Sequence, residues 1–276
     1  MRRLLNKYIP IALLMVFMVV PGVRAEQPIF DEMPRWTGGW GVQLMQEFLM
    51  REGEDSEVGS LVQSEKEHIH LTHIQGVYTW DKSVRVTVKI PVVVFAEKTL
   101  NMAGEPTTSL QDQGLGDPTI ALPLKSYFNL DGRSGSWTLA PQLRVPAGQT
   151  DEYDVYSRRW ATGLSGGYST ETHLFFLMTS AGAWYEVDDT PWEANAGLAL
   201  GLNFQFAEMN GHLLLKQYGK YRQKDAITYA IGPTVYLRIT DEFHAQLQTR
   251  HDAVSWYQDG KNRREDSFRI GIAIVY

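Results

Sequence analysis

Apolar and polar side chains alternate with a period of two through most of this chain. Trp40, Val42, Leu44, Phe48 and Met50 alternate with Gly41, Gln43, Glu47 and Arg51, and Val84, Val86, Val88, Ile90, Val92 and Val94 with Arg85, Thr87, Lys89 and Pro91. Farther on, Trp192, Ala194, Ala196, Leu198, Leu200, Leu202, Phe204 and Phe206 form one even-numbered stripe, and Phe268, Ile270, Ile272, Ile274 and Tyr276 form another. Helical periodicity is scarce. Strict alternation predicts strands with one greasy and one wet face, and runs of about 9 to 11 residues or more suit a strand tilted across a membrane. The pattern predicts twelve strands: 40–51, 66–80, 83–95, 117–128, 136–146, 158–169, 172–186, 192–206, 211–222, 225–239, 243–256 and 265–276.

Connection lengths give an independent reading. If the first strand starts in the periplasm, the first three odd connections, 52–65, 96–116 and 147–157, are long, while most even ones, Asp81-Lys82, Thr170-Glu171, Ala207 to Asn210 and Thr240 to Glu242, are short; only 129–135 is longer, and it is turn chemistry throughout. Long outer loops and short periplasmic turns characterise an outer-membrane barrel. Aromatics near the strand ends (Trp40, Trp80, Phe95, Phe128, Trp137, Trp160, Trp184, Trp192, Phe206, Phe243, Trp256 and Tyr276) fit interfacial girdles. Two strands resist. In 66–80 the apolar parity changes between Leu71 and Ile74, which predicts a bulge near Thr72-His73. In 172–186 both faces are apolar, which places Phe175 and Leu177 as candidates on the lumen side.

Composition agrees. Residues 1 to 25 read as a cleaved secretory signal, with Arg2, Arg3 and Lys7 ahead of an apolar run and Val23-Arg24-Ala25 as the cleavage site. The run is too short for a spanning helix of about 20 residues. Residues 26–39 form a short periplasmic segment and 40–276 the barrel. The formal net charge of −6 falls to about −10 without the signal, which argues against a nucleic-acid partner. The absence of cysteine excludes disulfides, thiolate metal sites and a lipoprotein anchor. The expected fold is therefore all-β: a transmembrane antiparallel up-and-down barrel of about twelve strands in the outer membrane of a Gram-negative bacterium. Its expected partners are outer-membrane lipid and lipopolysaccharide, and the barrel-assembly machinery through the C-terminal strand ending at Tyr276.

The segment Gly114-Leu-Gly-Asp-Pro-Thr-Ile-Ala-Leu-Pro-Leu-Lys-Ser-Tyr127 holds a GxGD motif running into a strand, and Leu143-Arg-Val-Pro-Ala-Gly-Gln-Thr150 follows with a Pro-x-Gly turn. With the glycine-rich Trp160 to Tyr168, these segments resemble the outer-membrane family named for the MetA pathway of phenol degradation. Ala147 stands where that family usually has threonine, and Gln149 where an aspartate is usual. The resemblance implies a transport-type barrel and says little about cargo. Gly114, Gly116, Asp117, Pro146 and Gly148 are its motif residues. Glycines let the chain bend from loop into strand, and Asp117 is placed to accept hydrogen bonds from loop amides.

The alternation places Arg85, Lys89, Lys125, Arg144, Lys216, Lys220, Arg238, Arg250 and Arg269 on the lumen face, with Glu47 and Glu193 the clearest carboxylates beside them. Such a wall favours anions, although basic side chains can equally pair with carboxylates and brace the barrel. Tyr127, Tyr218 and Tyr236, with Phe175 and Leu177, are candidate contacts for an apolar ring. His68 and His70 share a strand face, a spacing that can chelate metal, but no third ligand is identifiable and no metal or cofactor is assigned. His251 and Ser255 are four apart on one face, too far to bond directly, and no hydrolase motif accompanies them. The expected function is non-enzymatic: passive passage of small solutes, aromatic or anionic compounds among them. The alternatives are a structural or surface-interaction barrel with an occluded lumen and, more distantly, an outer-membrane hydrolase.

Overall fold

Among the described residues the sheet closes on itself, because a sheet in hydrocarbon can leave no long edge unpaired. A computed structural model describes residues 39–54, 62–80, 83–102, 106–130, 132–147, 153, 155–187, 192–206, 209–223, 226–257 and 262–276. The expected signal sequence, all but the last residue of the expected 26–39 segment and the expected turn at Asp81-Lys82 lie outside the described residues. The described residues form fourteen strands: β1 (Gly39–Glu54), β2 (Val62–Thr79), β3 (Arg85–Met102), β4 (Thr108–Leu115), β5 (Thr119–Ala121), β6 (Leu124–Leu130), β7 (Arg133–Arg144), β8 (Ala161–Glu171), β9 (Phe175–Glu186), β10 (Glu193–Phe206), β11 (Met209–Arg222), β12 (Ala226–Arg238), β13 (Phe243–Tyr257) and β14 (Asn262–Val275). β4, β5 and β6 form one crossing of the wall, so the barrel has twelve antiparallel staves. Pro118 and Pro123, which have no N–H to give a ladder, fall at the two breaks. The breaks are bridged by Gly116 N to Pro91 O at 2.9 Å and Leu122 N to Pro141 O at 3.0 Å.

Closure is made by the ends of the sequence. β1 pairs with β14 from Gly41↔Val275 to Glu54↔Asn262, and Tyr276 N donates to Trp40 O at 2.8 Å. Side-chain exposure alternates as the pattern predicts: on β1 Val42, Leu44, Phe48 and Met50 are exposed on the outer face while Gln43, Glu47 and Leu49 are buried inside. From Trp40 to Met50, ten steps of about 3.3 Å tilted by about 40° cover roughly 25 Å, the height of an apolar membrane band. Trp40, Trp80, Trp137, Phe206 and Tyr276 stand exposed at the short-turn end, and Trp160, Trp192 and Trp256 at the long-loop end.

Three expectations change. β2 is regular against β1 throughout; the bulge lies on β3, where Val94 is the extra residue between Val93↔Leu71 and Phe95↔His70. Ile69 and Leu71 therefore face inward, and Ile74 and Tyr78 outward, with no change of parity. β8 runs to Glu171, and the turn is Thr172 to Leu174, closed by Thr172 N to Phe175 O at 2.8 Å. Phe175 and Leu177 point to lipid, because Phe176 pairs with inward-facing Glu171 and Gly201. Phe176, Met178 and Trp184 are the large apolar residues on the inward face of β9.

The lipid face allows a direct test. Leu200 sits mid-strand on the outer face of β10, and Leu200→Arg should cost about 2–4 kcal/mol there, read as a lower denaturant midpoint for refolding into liposomes.

Candidate functional site: the vestibule and its inward-folded loop

The sheet register settles which side chains enter the barrel. All nine basic residues singled out from the alternation lie on the inward face: Arg85, Lys89, Lys125, Arg144, Lys216, Lys220, Arg238, Arg250 and Arg269. They do not form a ring of positive charge facing few acids. Glu65, Glu67, Asp112, Glu171, Glu186, Asp252 and Glu265 also point inward; Glu65 falls on β2 and not in the expected loop 52–65, and the regular β2 turns Glu67 inward where the expected bulge turns it out. Arg144 bonds Glu186 at 2.9 Å, Lys220 bonds Glu193 at 2.9 Å and Arg238 bonds Asp241 at 2.8 Å. Arg250 and Glu265 are in direct contact. Arg269 reaches Glu47 at 2.7 Å through both Nε and Nη2, while His73 Nε2 approaches the other oxygen of Glu47 at 2.7 Å.

Of these groups, Lys220, Arg250 and Glu265 line a water-accessible vestibule of about 480 Å³ at the long-loop end. A chain of alternating charge runs along its wall: Lys98 to Glu67 at 3.2 Å, Glu67 to Arg51 at 3.1 Å, Arg51 to Glu265 at 2.7 Å, and on to Arg250. Tyr218 faces this space under Arg250, whose Cζ lies 5.9 Å from its ring centroid.

Below the vestibule the wall turns apolar. Leu49, Ile69, Leu71, Val93 and Ala96 form a buried cluster on the inner face of β1, β2 and β3, and Tyr153, Val155 and Tyr156 pack against it. The loop between β7 and β8 therefore folds into the bore instead of standing over it. Asp117, 2% exposed, holds the feet of the loop together by accepting from Ala147 N at 3.2 Å and Arg158 N at 2.9 Å. Asp112 accepts from Val155 N at 2.9 Å. Arg158 takes a left-handed φ of 53° to make its turn. Gly116 lies under the ring of Tyr156, in the space a side chain would fill. The GxGD motif is thus the seat of this loop, with Gly116 and Asp117 as its working parts. Gly114 supplies a φ of 122° at the end of β4; Pro146 is half-buried at the loop's start, and Gly148 lies outside the described residues.

Burial raises the hydroxyl pKa of Tyr153 and Tyr156 above the ordinary tyrosine value, and the carboxylates of Glu67 for Tyr153, and of Glu47 and Asp117 for Tyr156, push the same way. An expelled loop would ionise these tyrosines near their ordinary pKa of 10.0. The seated loop keeps them protonated. Because the expelled state binds fewer protons above that value, seating weakens as pH rises through it. Ionic current should increase above pH 10, and Tyr153→Phe with Tyr156→Phe should remove the rise.

At the short-turn end the inward groups are shielded from water. Phe176 on β9, reaching past β10, and His212, Tyr236 and His244 on β11, β12 and β13 form a row with ring centroids 5.6, 5.3 and 5.9 Å apart, and Tyr236 Oη is 2.6 Å from His244 Nδ1. On the opposite arc Arg85 Nη2 donates to Tyr127 Oη at 3.0 Å. Trp184, expected in a girdle, lies inside at the other end: Arg144 Cζ is 4.9 Å from its ring centroid, and Gly163 leaves the ring room to lie on the wall.

The remaining candidates separate. His68 and His70 are on the outer face, where His70 stacks on Phe48 at 4.4 Å. His251 points outward beside Asp266, whereas a bulge between Tyr229 and Ala230 in the β12–β13 pairing turns Ser255 inward. They share no face, so no nucleophile and base meet there.

No family model matches the chain, and no curated protein does. Among solved structures, the fold is similar to an outer-membrane channel from Pseudomonas putida F1, with a TM-score of 0.59 and 16% identity over 94% of this chain and 100% of that one. Weaker likenesses are to the CymD monoaromatic hydrocarbon channel (TM-score 0.41, 7% identity, 87% of this chain and 89% of that one) and to the translocator domain of the autotransporter NalP from Neisseria meningitidis (TM-score 0.45, 9% identity, 86% and 88%). The likeness to the Pseudomonas channel shows a shared outer-membrane barrel fold. It agrees with the architecture read from the alternation and from the segment 114–168.

Proposed function

We propose that this outer-membrane barrel is a channel for the passive entry of small solutes, admitted through the charged vestibule and metered by the loop seated beneath it. The observation that carries this reading is the vestibule itself. A closed barrel built only as a membrane staple has no use for a water-accessible space of about 480 Å³ walled by a continuous ladder of ion pairs. The outer-membrane channel from Pseudomonas putida with the same fold supports the transport class. Of the lining residues that the register turns inward, six are basic and four acidic, so small anions should pass more readily than cations, though weakly, since most bases have an acid beside them. Aromatic carboxylates fit such a wall, with the carboxylate on a guanidinium and the ring against Tyr218.

Purified protein in planar bilayers should pass a small ionic current with a reversal potential displaced toward that of chloride. Cation preference would remove the anion reading. Absence of any current from correctly folded protein would favour the alternative, an occluded barrel with structural or surface-contact duties, for which the buried inward side chains at the short-turn end are the supporting observation.

A further inference from the structure

The lipid-facing side of the wall changes around the barrel. From β5 to β10 the outward positions between the aromatic girdles are apolar, with hydroxyls as the only polar groups. From β11 through β14 to β2 the band is interrupted three times. Gln46 on β1 stands between Leu44 and Phe48, and its Oε1 accepts from Thr72 Oγ1 at 2.8 Å and lies 2.9 Å from His70 Nε2 on β2. Asp266 on β14 lies 2.6 Å from His251 Nδ1 on β13, with Arg264 Nε at 3.5 Å. Gln217 on β11 accepts from Tyr229 Oη on β12 at 2.8 Å. The register turns all three groups outward, and Phe48, Phe268 and Ile270, beside the first two, are exposed. Six steps of about 3.3 Å tilted by about 40° put Gln46 roughly 15 Å above Trp40, well inside an apolar band of roughly 25 Å. Hydrocarbon offers no hydrogen bonds, so each of these groups is costly there unless it is answered. Their own bonds answer only part: among the described residues nothing hydrogen-bonds the side-chain nitrogen of Gln46 or of Gln217.

A lone barrel has lipid on every side, so a single arc of polar groups marks a side that meets something else. Lipid phosphates do not fit it. Toward the long-loop rim the outward charges of this arc are mixed, with Lys66 bonding Glu52 at 3.2 Å and Arg264 beside Asp266, which gives an anion no net attraction. A patch that carries both signs does fit a copy of itself, since a two-fold contact sets each acid against the other copy's base. A glutamine amide both donates and accepts, so Gln46 is complementary to its own counterpart across the axis. We infer that this arc is where two copies of the chain pair in the membrane, with Gln46 and Asp266 at the contact and Gln217 at its edge. The inference does not depend on whether the bore passes solute.

The chain has no cysteine, so a single introduced thiol reports one position. Met50→Cys places it outward on β1 where the apolar band ends, and Tyr185→Cys outward on β9 across the barrel, both at exposed sites. Each variant is refolded into liposomes over a range of protein-to-lipid ratios, treated with a short bismaleimide and run on a denaturing gel. The same reaction is carried out in outer membranes. The expected result is a cross-linked dimer from Met50→Cys and monomer from Tyr185→Cys. Adding Gln46→Leu and Thr72→Val to Met50→Cys should move half-dimerisation to a protein-to-lipid ratio about tenfold higher. Heat-modifiable mobility should be kept, since both changes restore an ordinary lipid face; His251→Leu with Asp266→Leu serves if that pair does not fold. Monomer from both thiols, dimer from both alike, or half-dimerisation unmoved by the substitutions would overturn the pairing. An adduct of Met50→Cys with a different protein in outer membranes, and none in liposomes, would overturn it too.

Discussion

Asp117→Ala should widen the channel. The substitution strips the acceptor from Ala147 N and Arg158 N, two amides that share one buried carboxylate and so define where the loop begins and ends. Hydrogen bonds to a charged group are worth about 1.5–3 kcal/mol each. Their loss leaves the loop held by Asp112 and by Tyr153, Val155 and Tyr156 on the apolar cluster of β1 to β3. We expect single-channel conductance to rise about two- to fivefold, with added current noise as the loop exchanges between seated and expelled states. Gly116→Val should reach the same end by another route, since its side chain would occupy the place of the Tyr156 ring. Both variants keep every strand pairing, so heat-modifiable mobility on gels should be unchanged. A folded Asp117→Ala protein with unaltered conductance would show that the loop does not meter the bore.

Glu47→Ala should be the most destabilising single change on the inner wall. Glu47 is 3% exposed and is shared by Arg269 and His73. Without it a guanidinium is left inside the barrel beside an imidazole, with no carboxylate between them. Breaking a buried pair by removing one partner costs about 3–5 kcal/mol, whereas replacing both partners with apolar groups is often close to neutral. The double variant Glu47→Leu/Arg269→Leu should therefore regain most of what Glu47→Ala loses. Urea midpoints of the folded fraction for Glu47→Leu, Arg269→Leu and the double variant measure this coupling. If the double variant falls as far as the sum of the singles, the two side chains do not act as a pair.

The barrel could be read from the alternation because hydrocarbon imposes one rule on every stave: the outward residue must be apolar. Leu44, Leu200 and Ile272 obey it, and all three are outside. The lumen obeys no such rule, and there the reading faltered. Leu49, Ile69 and Leu71 are apolar and inward because a loop covers them, so Ile69 and Leu71 looked like a shift of register. In β9, Phe175 and Phe176 are alike as side chains, and only pairing to Glu171 and Gly201 tells which one enters the bore. Trp184 has the composition of a girdle residue but lies on Gly163 beneath Arg144. Acid partners for the basic wall were missed where they sat on β2 and β14, since pairing across strands leaves no trace in local spacing. One signal was available. Tyr153-Asp-Val-Tyr156 is too greasy for a loop in open water, and apolar residues on the wet face of β1 needed something to cover them.

The seam between β1 and β14 sets the tempo of folding. Gly41 must find Val275, a partner more than two hundred positions away, before the sheet has no free edge. Loop-closure entropy makes such distant pairings late events. Until they form, the half-built sheet presents a row of unsatisfied amides and carbonyls to any strand nearby. Shielding of that edge by another protein until the two ends meet would keep the nascent chain from aggregating.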